Sequence, residues 1–148
     1  MKIYIGADHA GYDLKEKLKL YLIDELGHDV VDFGADTFDE QDDYPDFIHP
    51  VAQAVANDTE SMGVILGGSG QGEAIVANRV KGVRAVVYYG GNEEIVKLSR
   101  EHNNANILSL GARFLDDADA KNVVKLWIET LFSSEQRHEK RIEKIDSY

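Results

Sequence analysis

Short apolar runs alternate along this chain with segments whose apolar residues recur every three or four positions, from one end to the other. Residues 2–7 predict a first strand. In residues 12–26, Leu14, Leu18, Leu22 and Leu26 fall four apart, the stripe of an amphipathic helix that Gly27 ends. Residues 28–33 predict a second strand, and 47–56 a helix after Asp43-Tyr44-Pro45. Residues 62–66 are apolar enough for a buried third strand, followed by a glycine-rich turn and a helix over 74–80. A fourth strand is predicted over 83–89, a helix over 92–103 and a fifth strand over 106–110. Val123, Val124, Trp127, Ile128 and Leu131 then predict a core-facing helix, and residues 134–145 a polar one.

Strand and helix periods taking turns in this way predict an α/β fold. The expected architecture is a Rossmann-like three-layer sandwich, with a mainly parallel five-stranded sheet and a C-terminal helical extension. It is read as one domain over residues 1–148, with a surface loop at 37–43 and no internal repeat. Ligands of such sheets bind outside the carboxyl ends of the strands. Asp8 and His9 follow the first strand, the glycine loop the third, and Gly90-Gly91 the fourth, so all should meet at one edge.

Composition narrows the chemistry. Without cysteine there is no disulfide, thiolate metal site or cysteine nucleophile. A net charge of −11 argues against general attraction to nucleic acid or an anionic membrane. No apolar run reaches the roughly 20 residues of a membrane span. Met1 leads straight into a strand without a leader pattern, which predicts a soluble, cytoplasmic protein. Against that acidic background, Arg137-His138-Glu139-Lys140-Arg141 is a local basic cluster.

The candidate chemistry begins at Gly67-Gly68-Ser69-Gly70-Gln71-Gly72-Glu73. The loop lacks the Lys-Ser/Thr of a phosphate-binding P-loop, and it follows the third strand rather than the first, unlike a dinucleotide fingerprint. Its glycines exceed what a turn requires, which favours a loop whose backbone N–H groups stabilise an anion. Glu73 lies in the first helical turn, where it either caps the helix or acts on a bound molecule. Asp8 either caps the following helix or belongs to the site. His102 sits at a helix C-terminus, favourable there as a charge and suited by its ordinary pKa to proton transfer. Arg137 and Arg141, four apart, share a helix face that can grip a phosphate or simply be solvated. His28, His49 and His138 are scattered without metal-ligand spacing.

Taken together, these segments resemble the type B ribose-5-phosphate isomerases and the related galactose-6-phosphate isomerase subunits, over essentially the whole length. The resemblance is carried by Gly6-Ala7-Asp8-His9-Ala10-Gly11, Asp43-Tyr44-Pro45, the 67–73 loop, Ala77-Asn78-Arg79, Glu101-His102-Asn103-Asn104-Ala105, and Gln136-Arg137-His138 with Arg141. It implies interconversion of an aldose phosphate and a ketose phosphate through an enediolate, with ribose 5-phosphate and ribulose 5-phosphate the usual pair. No metal or organic cofactor is implied.

Many members carry a cysteine base at the position of Gly67, and this chain is similar instead to the branch with a glutamate at Glu73. The resemblance therefore implies Glu73 as the base, His102 as the ring-opening acid, and Asp8 as its assistant. It places Gly68, Ser69, Gly70, Gln71 and Gly72 around the enediolate and Asn103 on the sugar or enediolate. Tyr44 would line the sugar site, Arg113 would contact substrate, and His9, Arg137 and Arg141 would hold the phosphate. It also implies a homodimer whose active sites combine residues of both chains, with tetramers known among relatives. The alternatives are a six-carbon substrate, allose 6-phosphate or galactose 6-phosphate, or a non-catalytic sugar-phosphate sensor, which would have no need of Glu73 and His102 together.

Overall fold

The computed structural model describes residues 1–148 and contains one sheet of five strands. These are β1 (Lys2–Ala7), β2 (Asp29–Asp32), β3 (Met62–Gly67), β4 (Ala85–Tyr88) and β5 (Ile107–Gly111). All four pairings are parallel, so the expected mainly parallel sheet is wholly parallel. The strand order is β2-β1-β3-β5-β4. β3 and β5 lie inside the sheet with every residue buried, which explains their unbroken apolar runs; β2 and β4 are the half-exposed edges.

The helices are α1 (Tyr12–Leu20), α2 (Pro45–Asn57), α3 (Gln71–Ala77), α4 (Glu94–Asn103), α5 (Asp117–Glu129) and α6 (Gln136–Asp146). One face of the sheet packs against α1 and α5, with α4 beside them, over a core that includes Ile3, Ile5, Leu18, Leu108 and Trp127. The other face packs against α2 and α3 over a smaller cluster around Ile48, Val51, Ile65 and Ile107. This is the expected three-layer sandwich. The last helix, α6, touches α4 and buries only His138. No helix is long and apolar enough to cross a membrane.

Several boundaries depart from the pattern. The first helix does not run evenly to its end: α1 passes into a π turn at Tyr21–Glu25, and Gly27, at φ +69°, then ends it. The third helix begins three residues before the predicted 74, because Gly70 at φ +77° turns the backbone directly into it. Its end is tied to β4, where the Asn78 side chain accepts from the Ala85 N–H and donates to the Ala85 carbonyl. Leu131 was expected in the core and is not. α5 stops at Glu129, the Thr130 hydroxyl donates back to the Leu126 carbonyl, and Leu131 is left 80% exposed.

From β1 the chain moves outward to β2, crosses back over β1 to β3, and continues toward the opposite edge. The connections therefore diverge between β1 and β3, which opens a crevice at their carboxyl ends.

Candidate active site

A cleft of about 520 Å³ fills that crevice. Asp8, His9 and Ala10 line it from the turn after β1, and Gly68, Ser69, Gly72 and Glu73 from the loop after β3. Arg113 and Phe114 come from the turn after β5, and Tyr44 from the start of α2. The Gly90-Gly91 turn after β4 contributes no wall, although Gly90 lies beside the Phe114 carbonyl.

Glu73 is only 3% exposed. Burial pushes its carboxyl above the usual carboxylate range; a hydrogen bond from its own backbone N–H opposes this, and the charge of Asp8 adds to the rise. The side chain thus meets one free N–H of the first turn of α3 while its carboxyl stays at the cleft. It is a nearly buried carboxyl facing a cleft, and Gly67 makes room for it, since a Cβ built on Gly67 would overlap the Glu73 carboxylate.

The loop is shaped from behind. The Gly70 carbonyl accepts from Ser109 Oγ at 2.6 Å, and the Arg113 N–H donates to the Gly68 carbonyl at 3.1 Å. A Cβ on Gly72 would come within 2.8 Å of the Tyr44 hydroxyl, and one on Gly68 within 3.2 Å of the Arg113 guanidinium. Glycine thus lets Tyr44 and Arg113 close on the backbone. The N–H groups of Gly68, Ser69 and Gly70 have no protein acceptor. Gly70 and Gln71 themselves do not line the cleft: Gly70 is buried beneath it, and Gln71 is exposed at the start of α3.

Asp8 lines the cleft but does not cap α1, which starts at Tyr12 behind Gly11 with no side-chain cap; it ties the turn before the helix instead. Its Oδ1 accepts from the N–H groups of Ala10 and Gly11 at 3.0 and 3.2 Å, while Oδ2 lies 3.9 Å from His9 Nδ1. His9 Nδ1 in turn bonds Asp42 Oδ1 at 2.6 Å. That hydrogen bond, helped by the charge of Asp8, raises the His9 pKa against a smaller effect of burial. Asp8, His9 and Asp42 bring ligand atoms within 4.8 Å of one another, the grouping on which a metal ion would have to sit. Nδ1 of His9 is already engaged by Asp42.

The remaining predicted residues lie elsewhere. His102 and Asn103 line a groove of about 330 Å³ with His138 and Arg141, between α4 and α6, and it shares no residue with the Glu73 cleft. The His102 and His138 rings stack at 4.3 Å between centroids and 13° between planes. Burial, then the neighbouring His102, lower the His138 pKa, with Arg137 and Arg141 adding to the effect against Glu135. Arg141 shares the groove with His138, whereas Arg137 lies on the outer side of α6 with Glu139, Lys140 and Glu143. The C-terminal end of α4 is fixed by Arg100. It stacks on Trp127 and donates to the Thr130 and Ala105 carbonyls and Asn104 Oδ1.

Sequence reasoning missed two of these contacts. Asp42 sits in a loop read as surface, and His138 was read only as lacking metal-ligand spacing. A signal for the second was present in its place beside Arg137 and Arg141.

A sequence model of the family described as Ribose/Galactose Isomerase matches residues 3–145. The chain belongs to that family. It is 40% identical to the ribose-5-phosphate isomerase B of Mycobacterium tuberculosis, over 100% of this chain and 90% of that protein. Among solved structures, ribose-5-phosphate isomerase B of Mycoplasma genitalium, with ribulose-5-phosphate bound, superposes with a TM-score of 0.93 at 37% identity. That likeness covers 99% of this chain and 95% of the other. The Clostridium thermocellum enzyme matches with a TM-score of 0.91 at 42% identity, covering 99% and 96%. The ribose/galactose isomerase fold therefore runs through the whole chain, including α6.

Proposed function

We propose that this chain, as a single sugar-phosphate isomerase domain, interconverts ribose 5-phosphate and ribulose 5-phosphate through an enediolate. The observation that carries the reading is the nearly buried Glu73 carboxyl, facing the cleft beneath a loop of unpartnered backbone N–H groups. Family membership and the likeness to an enzyme holding ribulose-5-phosphate support the substrate class.

In this mechanism Glu73 removes the proton from carbon 2 of the open aldose and returns it to carbon 1. The proton on the carbon 2 oxygen passes to the carbon 1 oxygen, so the aldehyde becomes a hydroxymethyl group and the alcohol a ketone. A carboxylate is a weak base for a carbon acid. Its burial strengthens it, and the free N–H groups of Gly68, Ser69 and Gly70 lower the barrier by receiving the charge that develops on oxygen. His102 donates to the ring oxygen when the sugar opens, with Asp8 accepting from the hydroxyl on carbon 1. Tyr44 and Asn103 position the sugar, while His9, Arg113, Arg137 and Arg141 hold the phosphate. That grip positions the reacting carbons from a distance.

The separation of Glu73 from His102 supports a homodimer in which one chain's cleft meets its partner's α4–α6 groove. Mixing Glu73→Gln with His102→Ala chains tests this. Neither variant should turn over alone, whereas mixed dimers should regain about a quarter of wild-type activity, one intact site in half of the dimers. No recovery on mixing would overturn the shared site.

The assay that tests the reaction is conversion of ribose 5-phosphate in deuterated water. Turnover with deuterium entering the product supports the enediolate. Turnover of only six-carbon phosphates would reassign the substrate, and no turnover of either would favour a sensor.

A further inference from the structure

The loop between β2 and α2 is exposed from Asp36 to Gln41, yet the Asp42 side chain is only 9% exposed. It reaches across to the turn after β1. Its Oδ1 accepts from the His9 backbone N–H at 3.2 Å and meets Nδ1 of the same residue at 2.6 Å. One oxygen thus fixes both the backbone and the ring of His9. Its Oδ2 is closed off from solvent with no partner, so the carboxylate is held in place by His9 alone. Phe38, from the same loop, meets the His9 ring edge-on at 6.1 Å and is itself met edge-on by Tyr12 at 6.4 Å. The ring is therefore held from two sides, and Nε2 is its only nitrogen left for a ligand.

We propose that Asp42 is a positioning residue, which turns His9 so that its Nε2–H faces the phosphate of the sugar phosphate in the cleft. The proposal rests on the reading of His9 as a phosphate contact.

Tautomer chemistry makes it specific. With Asp42 accepting at Nδ1, that nitrogen keeps its hydrogen in every protonation state that preserves the bond. A neutral His9 would then present a bare lone pair at Nε2, which repels phosphate oxygen; only the cation presents a donor on both sides. The groups facing the ring are Asp8 on its own turn, Asp42 across the loop and Arg113 from the turn after β5. Asp13 and Glu40 line the adjoining hollow. Asp42 and Asp8 favour the cation and Arg113 opposes it, so Asp42 keeps His9 a donor to higher pH than the ring would manage alone.

The test is the pH dependence of KM for ribose 5-phosphate in wild type and Asp42→Asn. The amide keeps the size and removes the charge. KM should rise about tenfold in the variant near about pH 8 and much less near about pH 6, where both rings are cationic, with kcat nearly unchanged. In substrate-free protein, NMR titration should show the His9 ring losing its proton at lower pH in Asp42→Asn. In a His9→Gln background Asp42→Asn should add no further change in KM, which separates positioning from general damage to the loop. An unchanged KM profile, a loss confined to kcat, or additive effects in the double variant would each overturn the proposal. If wild type fails to turn over ribose 5-phosphate, the functional reading falls instead. Binding of inorganic phosphate near pH 8 then decides: weaker binding by Asp42→Asn sustains the positioning role, and equal binding removes it.

Discussion

The carboxylate of Glu73 occupies the space in which any side chain at position 67 would lie, so a glycine at the end of β3 and a glutamate in the first turn of α3 depend on one another. Even Ala at 67 would have to displace the carboxylate. Gly67→Ala should therefore lower turnover at least about a hundredfold, by moving the base out of register with the substrate. It should destabilise the fold by only about 1–3 kcal/mol, the usual result of overpacking one methyl. Steady-state kinetics beside a thermal melt would check this, and near-normal turnover would show that residue 67 and Glu73 do not compete.

Glu73→Gln keeps the shape and removes the proposed base. Turnover should fall about 10³-fold or more while ribose 5-phosphate still binds. In wild type, kcat/KM should rise with pH as Glu73 ionises, with the acid limb above the usual carboxylate range because burial raises this group. A limb at the ordinary position of an exposed glutamate would separate Glu73 from the rate.

The same shift predicts a stability difference. A carboxyl whose folded pKa is raised binds its proton more tightly in the native state. Its stabilising contribution is thus fully present below the unfolded pKa and is lost as pH rises through the folded one. Glu73→Gln should melt at a higher temperature than wild type at neutral pH, and the gap should close below about pH 4. Melting curves across that range would show it, and a gap that widens toward acid would reverse the argument.

Lys15 offers a test away from the cleft. It is fully buried in α1, with Nζ 2.7 Å from Asp32 and 2.8 Å from Glu16, while Lys19 also bonds Asp32 at 2.7 Å. Lys15→Ala should destabilise by about 3 kcal/mol, at the low end for a broken buried pair because Lys19 still holds Asp32. Lys15→Met, which keeps most of the volume, should lose less. Equal losses in denaturant unfolding would assign the effect to charge rather than packing.

The parts legible in sequence were those written into short segments. Five apolar runs gave five strands, and the β3–α3 loop announced itself through glycines whose need is visible in Tyr44, Arg113 and Glu73 pressing on its backbone. Periodicity could not tell that α5 ends before Leu131, because the pattern continues two positions past the last helical residue. Nor could it find Asp42, whose partner lies 33 positions away and whose neighbours are exposed. The spacing of Arg137 and Arg141 gave a shared helix, but only three dimensions put the buried His138 with Arg141 in one groove against His102 and turn Arg137 outward.

The groove at His102 and the cleft at Glu73 also bear on how the protein behaves when scarce. Each chain folds around its own sheet and, in the proposed mechanism, carries the base and the acid on surfaces that do not meet. If the proposed homodimer forms the site, dilution alone should silence it: specific activity should fall as the concentration of chains drops through the dissociation constant of the pair, while the circular dichroism spectrum stays unchanged. Turnover would then respond to abundance more steeply than in proportion.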